Sequence, residues 1–312
     1  NIRFWGGDLM QAVGGELVMH YKERQFMGFA EVIMNLRKIS GHIKFCKKDI
    51  AQFQPDVIIF IDNSGFNLRI AKWAKEQNFK THYYISPQVW ASRASRVEKI
   101  KRDVDAMYCI LPFEDAFYKK YDYDVNFVGH PLIDAIADRP QVDENEFRKT
   151  HQLSNQPIIA LLPGSRKQEI TKMLGVMLSL VDDFKDYQFV IAGAPSQDAA
   201  FYSKFTKKQN VNLVMNRTYD ILSLATAALV TSGTATLETA LFKVPEVVCY
   251  KGGRISYEIA KRVINLDYIS LVNLIMDKEV VKELIQTEFN TKTLKKALTE
   301  ILEEEKNQRI LL

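Results

Sequence analysis

The sequence predicts an α/β protein made of two open parallel sheets, each wrapped in helices. Three observations carry that prediction. The chain has 312 residues, about twice the ~150 of an average domain. Short apolar, β-branched runs alternate with longer amphipathic stretches, the rhythm of βαβ units. That rhythm breaks at a polar, charge-rich stretch over 138–149, which contains Pro140, and restarts at 151–157. The break places a domain boundary there, giving residues 1–150 and 151–312.

Taken in order, residues 2–7 (Ile-Arg-Phe-Trp-Gly-Gly) read as a strand entering a glycine turn. No Met precedes them, so the sequence is expected to be a fragment that lacks its first residues. Strand 57–61 is apolar throughout and ends at Asp62. A helix over 66–77, a strand over 80–85, a helix around 93–102, a strand over 106–111, a helix over 113–121 and a strand over 125–128 complete the first half. Strands that are apolar at every position need cover on both faces. The second half reads as strand 158–162, helix 168–184, strand 188–192, helix 199–208, strand 211–215, a short helix near 219–225, strand 227–230, helix 234–242 and strand 247–250. Helix 168–184 sets Ile170, Met173, Leu174, Met177, Leu180, Val181 and Phe184 on one stripe, as a core-facing helix should. After Gly252-Gly253 the pattern is mostly helical, most clearly over 291–305.

Composition narrows the function. With 47% hydrophobic and 26% charged residues, the chain is neither disordered nor fibrous and can build two cores without disulfide or metal staples. Lys+Arg 42 against Asp+Glu 38 leaves +4, less than a general nucleic-acid binder carries, so no nucleic-acid partner is expected. No apolar run approaches the ~18 residues of a membrane span. Cys46, Cys109 and Cys249 lie far apart with no CxxC pair and read as buried thiols in a reducing compartment. His20, His42, His82 and His151 show no metal-ligand spacing, so neither metal nor cofactor is expected. The glycine-rich pieces match neither GxGxxG nor a P-loop.

Ligands of open α/β sheets sit beyond the carboxyl ends of the strands, which selects the candidate residues. In 230–238 a buried strand runs into Ser232-Gly233-Thr234-Ala235 and a helix begins. Such a turn aims backbone N–H groups and the positive helix end at whatever lies above it, a natural diphosphate site. Glu238, one turn in, could accept hydrogen bonds from ribose hydroxyls. The competing reading is an ordinary helix cap with Glu238 as its capping-box partner. Arg166, after the Pro163-Gly164-Ser165 turn, suits a bidentate grip on phosphate, or is a solvated arginine ahead of a helix. Asp62 is a candidate general base, or an N-cap for the next helix. His130 reads as a packed loop histidine. Phe26, Met27, Phe29, Val32, Ile33 and Leu36 form an unusually apolar stretch edged by Arg37, Lys38, Lys44, Lys47 and Lys48. That suits an interfacial helix on an anionic leaflet or the mouth of a lipid cleft; equally, it suits a core helix followed by a solvated basic one.

The ordered series 55–62, Ser86-Pro87-Gln88-Val89-Trp90-Ala91, Leu111-Pro112-Phe113-Glu114, Val128-Gly129-His130-Pro131, 161–166, 232–238, 267–274 and 281–284 resembles the lipid-A-disaccharide synthase family over nearly the whole chain. The resemblance implies a GT-B fold, two Rossmann-like domains facing a cleft. It implies inverting, metal-independent transfer of 2,3-diacylglucosamine from UDP-2,3-diacylglucosamine to 2,3-diacylglucosamine 1-phosphate, giving a β-1,6 disaccharide and UDP. Carried over by position, the family's base falls on Asp62 and its phosphate-binding arginine on Arg166. Its nucleotide turn falls on Ser232, Gly233, Thr234, Ala235 and Glu238, and its cleft asparagine on Asn273. A cytoplasmic protein bound peripherally to the inner membrane through the Phe26–Ile39 stretch is implied too, with oligomeric state left open. The family usually begins with a strand and a Gly-Glu-x-Ser-Gly-Asp loop, absent before Asn1; Gly65 and Ser92 stand where it often has Asp and Trp. Two alternatives stay open: another UDP-sugar enzyme such as a UDP-N-acetylglucosamine 2-epimerase, or a nucleotide-sugar or lipid binder without turnover.

Overall fold

The computed structural model describes residues 1–24, 36–92, 94–253 and 266–303. The chain folds into two compact units. Asn1–Val89, Ser95–Cys109 and Asp115–Asn126 form the first; Trp90–Ala94, Ile110–Glu114 and Phe127–Leu312 form the second. The second unit therefore begins ahead of residue 151. Helices Pro131–Ala137 and Glu144–Thr150 belong to it, because Phe147 packs with Leu153 and Ile158 in its core.

In the first unit, β1 (Arg3–Gly6) and β2 (Glu16–His20) form a parallel pair. A four-stranded sheet follows, β3 (Ile58–Ile61), β4 (Thr81–Tyr84), β5 (Ala106–Cys109) and β6 (Asn126–Phe127), in the order β3-β4-β5-β6. Its core gathers Phe60, Ile70, Ala71, Tyr83, Val97, Ile100, Met107 and Tyr118. The sequence predicted β3 to be buried on both faces. Among the described residues it is an outer strand in which only Phe60 is buried, with Ile59 59% and Ile61 45% exposed. Apolar composition fixed its strand character but not its place in the sheet.

Helix Leu36–Phe53 lays Ile43, Cys46 and Ile50 on that core and leaves Arg37, Lys38, Lys44 and Lys48 outward. The basic residues thus occupy the outer face of a helix whose inner face joins the core. Arg3 ties β1 to this helix by an ion pair to Asp49 and to β2 by one to Glu16, both at 3.2 Å, and Trp5 lies against Phe45 and Phe66. Phe26, Met27, Phe29, Val32 and Ile33 lie outside the described residues, and Leu36 opens the helix.

The second unit holds one parallel sheet of six strands: β7 (Ile158–Leu162), β8 (Gln188–Gly193), β9 (Val211–Met215), β10 (Ala225–Thr231), β11 (Glu246–Tyr250) and β12 (Lys282–Ile285), in the order β12-β11-β10-β7-β8-β9. Two-sided burial is explicit here. Ile159 and Leu161 of β7 join one core layer while Ile158, Ala160 and Leu162 join the other, and β10 divides the same way. The predicted helix 168–184 stops at Met177 and tightens into a 3₁₀ turn over Leu178–Leu180, yet its stripe from Ile170 to Val181 is buried as expected. The predicted helix 199–208 shortens to Ala199–Tyr202. The mostly helical tail is corrected by β12, whose Glu283 and Leu284 are buried between exposed Lys282 and half-buried Ile285. The three cysteines are buried, as predicted, and none is joined in a disulfide.

Candidate functional site

The six-stranded sheet changes direction between β7 and β10. The chain runs outward from β7 to β8 and β9, then returns to the other side of β7 for β10, β11 and β12. At such a switch point the loops leaving neighbouring strands diverge and open a crevice at their carboxyl ends. Leu162 and Val230 are register partners, so the two turns that the sequence singles out leave side by side.

β7 turns through Pro163-Gly164-Ser165-Arg166 into helix Lys167–Met177. Gly164 has φ +99°, and a Cβ there would come within 2.4 Å of Glu169 Oε2. The positive φ calls for glycine, and any larger residue would also have to displace the end of the Glu169 side chain. Ser196 Oγ and Gln197 Nε2 each donate to the Ser165 carbonyl at 2.8 Å and fix the turn. Arg166 stands exposed in extended backbone ahead of the helix, its guanidinium open to an anion.

β10 leaves through Ser232-Gly233 into helix Thr234–Leu241. Gly233 sits at φ +133° with open space around it, and no side chain caps this helix. Ser232 Oγ donates instead to the Ile269 carbonyl at 2.8 Å. Glu238 Oε1 accepts from Tyr219 Oη at 2.9 Å. The ordinary-cap reading therefore fails for this turn, and the first amides of the helix remain available to a ligand. Tyr219 is the residue the sequence reading missed. Burial pushes its phenol up, and the bond and charge of Glu238 push it further, so the hydroxyl stays a donor and holds Glu238 in place. A cavity of about 450 Å³ opens beside it, lined by Pro195, Asn216, Arg217, Thr218, Tyr219 and Asp220, at the ends of β8 and β9. Only the fold brings Pro195 to residues 216–220; no sequence pattern announces it.

Asn273 is placed elsewhere than expected. It is fully buried. Its Nδ2 donates to the Val281 carbonyl and Glu283 Oε1, at 2.8 and 2.9 Å, and its Oδ1 accepts from the amides of Val280 and Val281. An amide so occupied holds its own loop and offers nothing to a ligand.

In the first unit, Asp62 ends β3 in the left-handed region (φ +45°), followed by Asn63 at φ +42°. The Asp62 carbonyl accepts from Tyr83 Oη at 2.5 Å and Asn67 Nδ2 at 2.7 Å, while its side chain is exposed. Helix Ser64–Glu76 has no side-chain cap bond, so Asp62 is not spent as a cap. Burial first, and the Asp62 charge second, push the Tyr83 phenol up, which keeps it a donor. One strand over, Ile85 at the end of β4 also has positive φ, +63°, a rare state for a β-branched residue. Strain on adjacent strand ends is a mark of functional loops. His130 caps helix Pro131–Ala137, its Nδ1 accepting the Leu132 amide at 3.2 Å, and burial holds its pKa down; it is the packed loop histidine the sequence suggested.

Comparison with known proteins bears on the family and the fold. A family model described as lipid-A-disaccharide synthetase matches residues 1–311. The chain is 39% identical over 310 residues to the lipid-A-disaccharide synthase of Syntrophus aciditrophicus, covering 96% of this chain and 81% of that one. Among solved structures it resembles the UDP-GlcNAc 2-epimerase of Neisseria meningitidis bound to UDP-GlcNAc, with TM-score 0.66, 12% identity and coverage of 95% and 80%. It also resembles the glycotransferase of kitacinnamycin, with TM-score 0.63, 13% identity and coverage of 98% and 84%. At that identity the structural likeness speaks for the fold alone, and the fold is the GT-B class of paired Rossmann-like domains.

Proposed function

We infer the function from one premise: this chain belongs to the lipid-A-disaccharide synthetase family. It is a glycosyltransferase that moves 2,3-diacylglucosamine from its UDP derivative to 2,3-diacylglucosamine 1-phosphate, releasing UDP. Its substrates are therefore a UDP-sugar and a lipid acceptor.

The residue roles are our proposal, and the paired turns at the β7/β10 switch point carry it. The leaving diphosphate lies over the amides of Thr234 and Ala235, where the positive helix end meets it, and Arg166 neutralises its oxygens from the neighbouring turn. Gly233 lets the phosphate approach the backbone. Glu238, held through Oε1 by Tyr219, presents Oε2 to the ribose hydroxyls. Asp62 is the acceptor-side base: it takes the proton of the 6-hydroxyl as that oxygen attacks the anomeric carbon and the bond to UDP breaks.

We also propose peripheral attachment to the cytoplasmic face of the inner membrane through the apolar stretch 26–36. Among the described residues no helix is long and apolar enough to cross a membrane. Exposed Leu9 and Val13, 87% and 88% accessible, add apolar surface in the first unit.

Titration calorimetry with UDP, with ADP as control, tests the nucleotide site. Saturable, UDP-selective binding is expected, weakened by ~1–3 kcal/mol in Arg166→Ala and in Glu238→Ala, the scale of a hydrogen bond to a charged group. Full affinity in both variants would remove these residues from the site.

A further inference from the structure

Behind the nucleotide turn lies a buried polar knot that the roles above leave unused. Glu283 of β12 is 9% exposed, and its carboxylate accepts four hydrogen bonds. They come from the amides of Ile269 and Ser270, both at 2.9 Å, from Ser270 Oγ at 2.7 Å and from Asn273 Nδ2 at 2.9 Å. Ser270 and Asn273 are themselves fully buried. On the far side of the same segment, the Ile269 carbonyl accepts the Ser232 hydroxyl at 2.8 Å.

These contacts are linked by the peptide plane. The Ile269 carbonyl and the Ser270 N–H belong to one trans peptide unit and point in opposite directions. A carboxylate that captures the Ser270 N–H therefore turns the Ile269 carbonyl away from itself, toward Ser232. Ser232 immediately precedes Gly233, and Gly233 sets the direction of the free amides of Thr234 and Ala235. Asn273 clamps the same carboxylate to residues 280–281, so the peptide cannot turn over without breaking the knot.

We propose that Glu283 is a positioning residue for the nucleotide turn, acting through the Ser270–Ile269 peptide and the Ser232 hydroxyl to aim the helix amides at the diphosphate. This rests on the reading that the turn binds UDP. Glu283 touches no ligand; it decides which way one carbonyl faces.

Glu283→Gln keeps the size of the side chain but sets an NH2 against donors that had an acceptor. The expected result is a folded protein whose UDP dissociation constant rises about tenfold, the scale of one lost hydrogen bond to a charged group. Ser232→Ala should lose a similar factor, and the double variant should be no weaker than the weaker single one, because both changes break one chain of contacts. A purely structural Glu283 would lower the melting temperature and leave UDP affinity alone, or give losses that multiply in the double variant; either result overturns the proposal. Should Glu283→Gln not fold, amide exchange on the unsubstituted chain decides: UDP must slow exchange at Ile269 and Ser270 as well as at Thr234–Thr236. Slowing at Thr234–Thr236 alone overturns the proposal. An unsubstituted chain that fails to bind UDP overturns the nucleotide-site reading itself, a result seen before any substitution is made.

Discussion

Asp62 shows how much a single residue can be asked to do. Its backbone sits at φ +45°, ahead of Asn63 at φ +42°, and its carbonyl is pinned by Tyr83 and Asn67. The two halves of the residue can be tested apart, because Asn tolerates the left-handed region nearly as well as Asp does. Asp62→Asn should leave the melting temperature and UDP affinity unchanged while turnover falls ~10²–10⁴-fold, the usual contribution of a general base. Asp62→Ala removes the charge and also places a less tolerant residue at positive φ, so it should be less stable by ~1 kcal/mol. Equal turnover in Asp62→Asn and the unsubstituted chain would assign the base elsewhere. At this scale the sequence told part of the story. The strand-end placement of Asp62, Arg166 and Ser232–Glu238 was legible because each follows a recognisable strand. Asn273 was not legible as a structural residue, since an asparagine that binds a ligand and one that ties a loop have the same letter. Only the four satisfied hydrogen bonds separate them.

Among elements, legibility followed burial. β7 matches its predicted span residue for residue and β8 exceeds its span by Gly193, because a strand covered on both faces is apolar almost throughout; the outermost strand β9 also matches its span, although Asn212 and Leu213 are only half-buried. β12 was missed because its sequence, Lys-Glu-Leu-Ile, carries a buried glutamate where a strand reader looks for an apolar residue. β11 carries a second one. Glu246 is 1% exposed, and neither carboxyl oxygen has a hydrogen-bond partner among the described residues. Burial first, and the charge of Glu283 second, push its carboxyl well above the ordinary range, so it folds neutral and must ionise on unfolding. The native state then holds a proton that the unfolded chain releases. The stability associated with that proton is complete below the unfolded pKa of about 4.3 and is lost as pH rises toward the folded value. Urea unfolding at pH 5 and pH 8 should show the unsubstituted chain losing stability between the two, and Glu246→Gln losing less and standing higher at pH 8. Parallel losses in the two proteins would mean that Glu246 is ionised in the fold.

For the whole molecule, the proposed membrane attachment has two candidate sources, apolar insertion and charge, and magnitudes separate them. A net charge of +4 on 312 residues is a weak general attraction, so any electrostatic contribution must come from the local group Arg37, Lys38, Lys44, Lys47 and Lys48. Each cation near an anionic leaflet contributes ~1 kcal/mol. Lys47 is partly engaged already, lying over the Trp73 ring at 5.6 Å, so about 4 kcal/mol is the ceiling from this group. Full burial of an apolar side chain contributes ~1.5–3 kcal/mol, and Phe26, Met27, Phe29, Val32, Ile33 and Leu36 together exceed that ceiling even if each inserts only halfway. Insertion should therefore dominate and charge should assist. Salt discriminates, because it screens exposed charges over a few ångströms at 1 M and leaves apolar transfer intact. Flotation with anionic vesicles should retain the unsubstituted chain at high salt, at reduced yield, while joint Ser substitution of Phe29, Val32 and Ile33 should release it at every salt concentration with the melting temperature unchanged. Complete release by salt, with the Ser variant floating like the unsubstituted chain, would make the basic face of helix Leu36–Phe53 the anchor. A Ser variant that unfolds would instead assign the stretch to the core of the first unit.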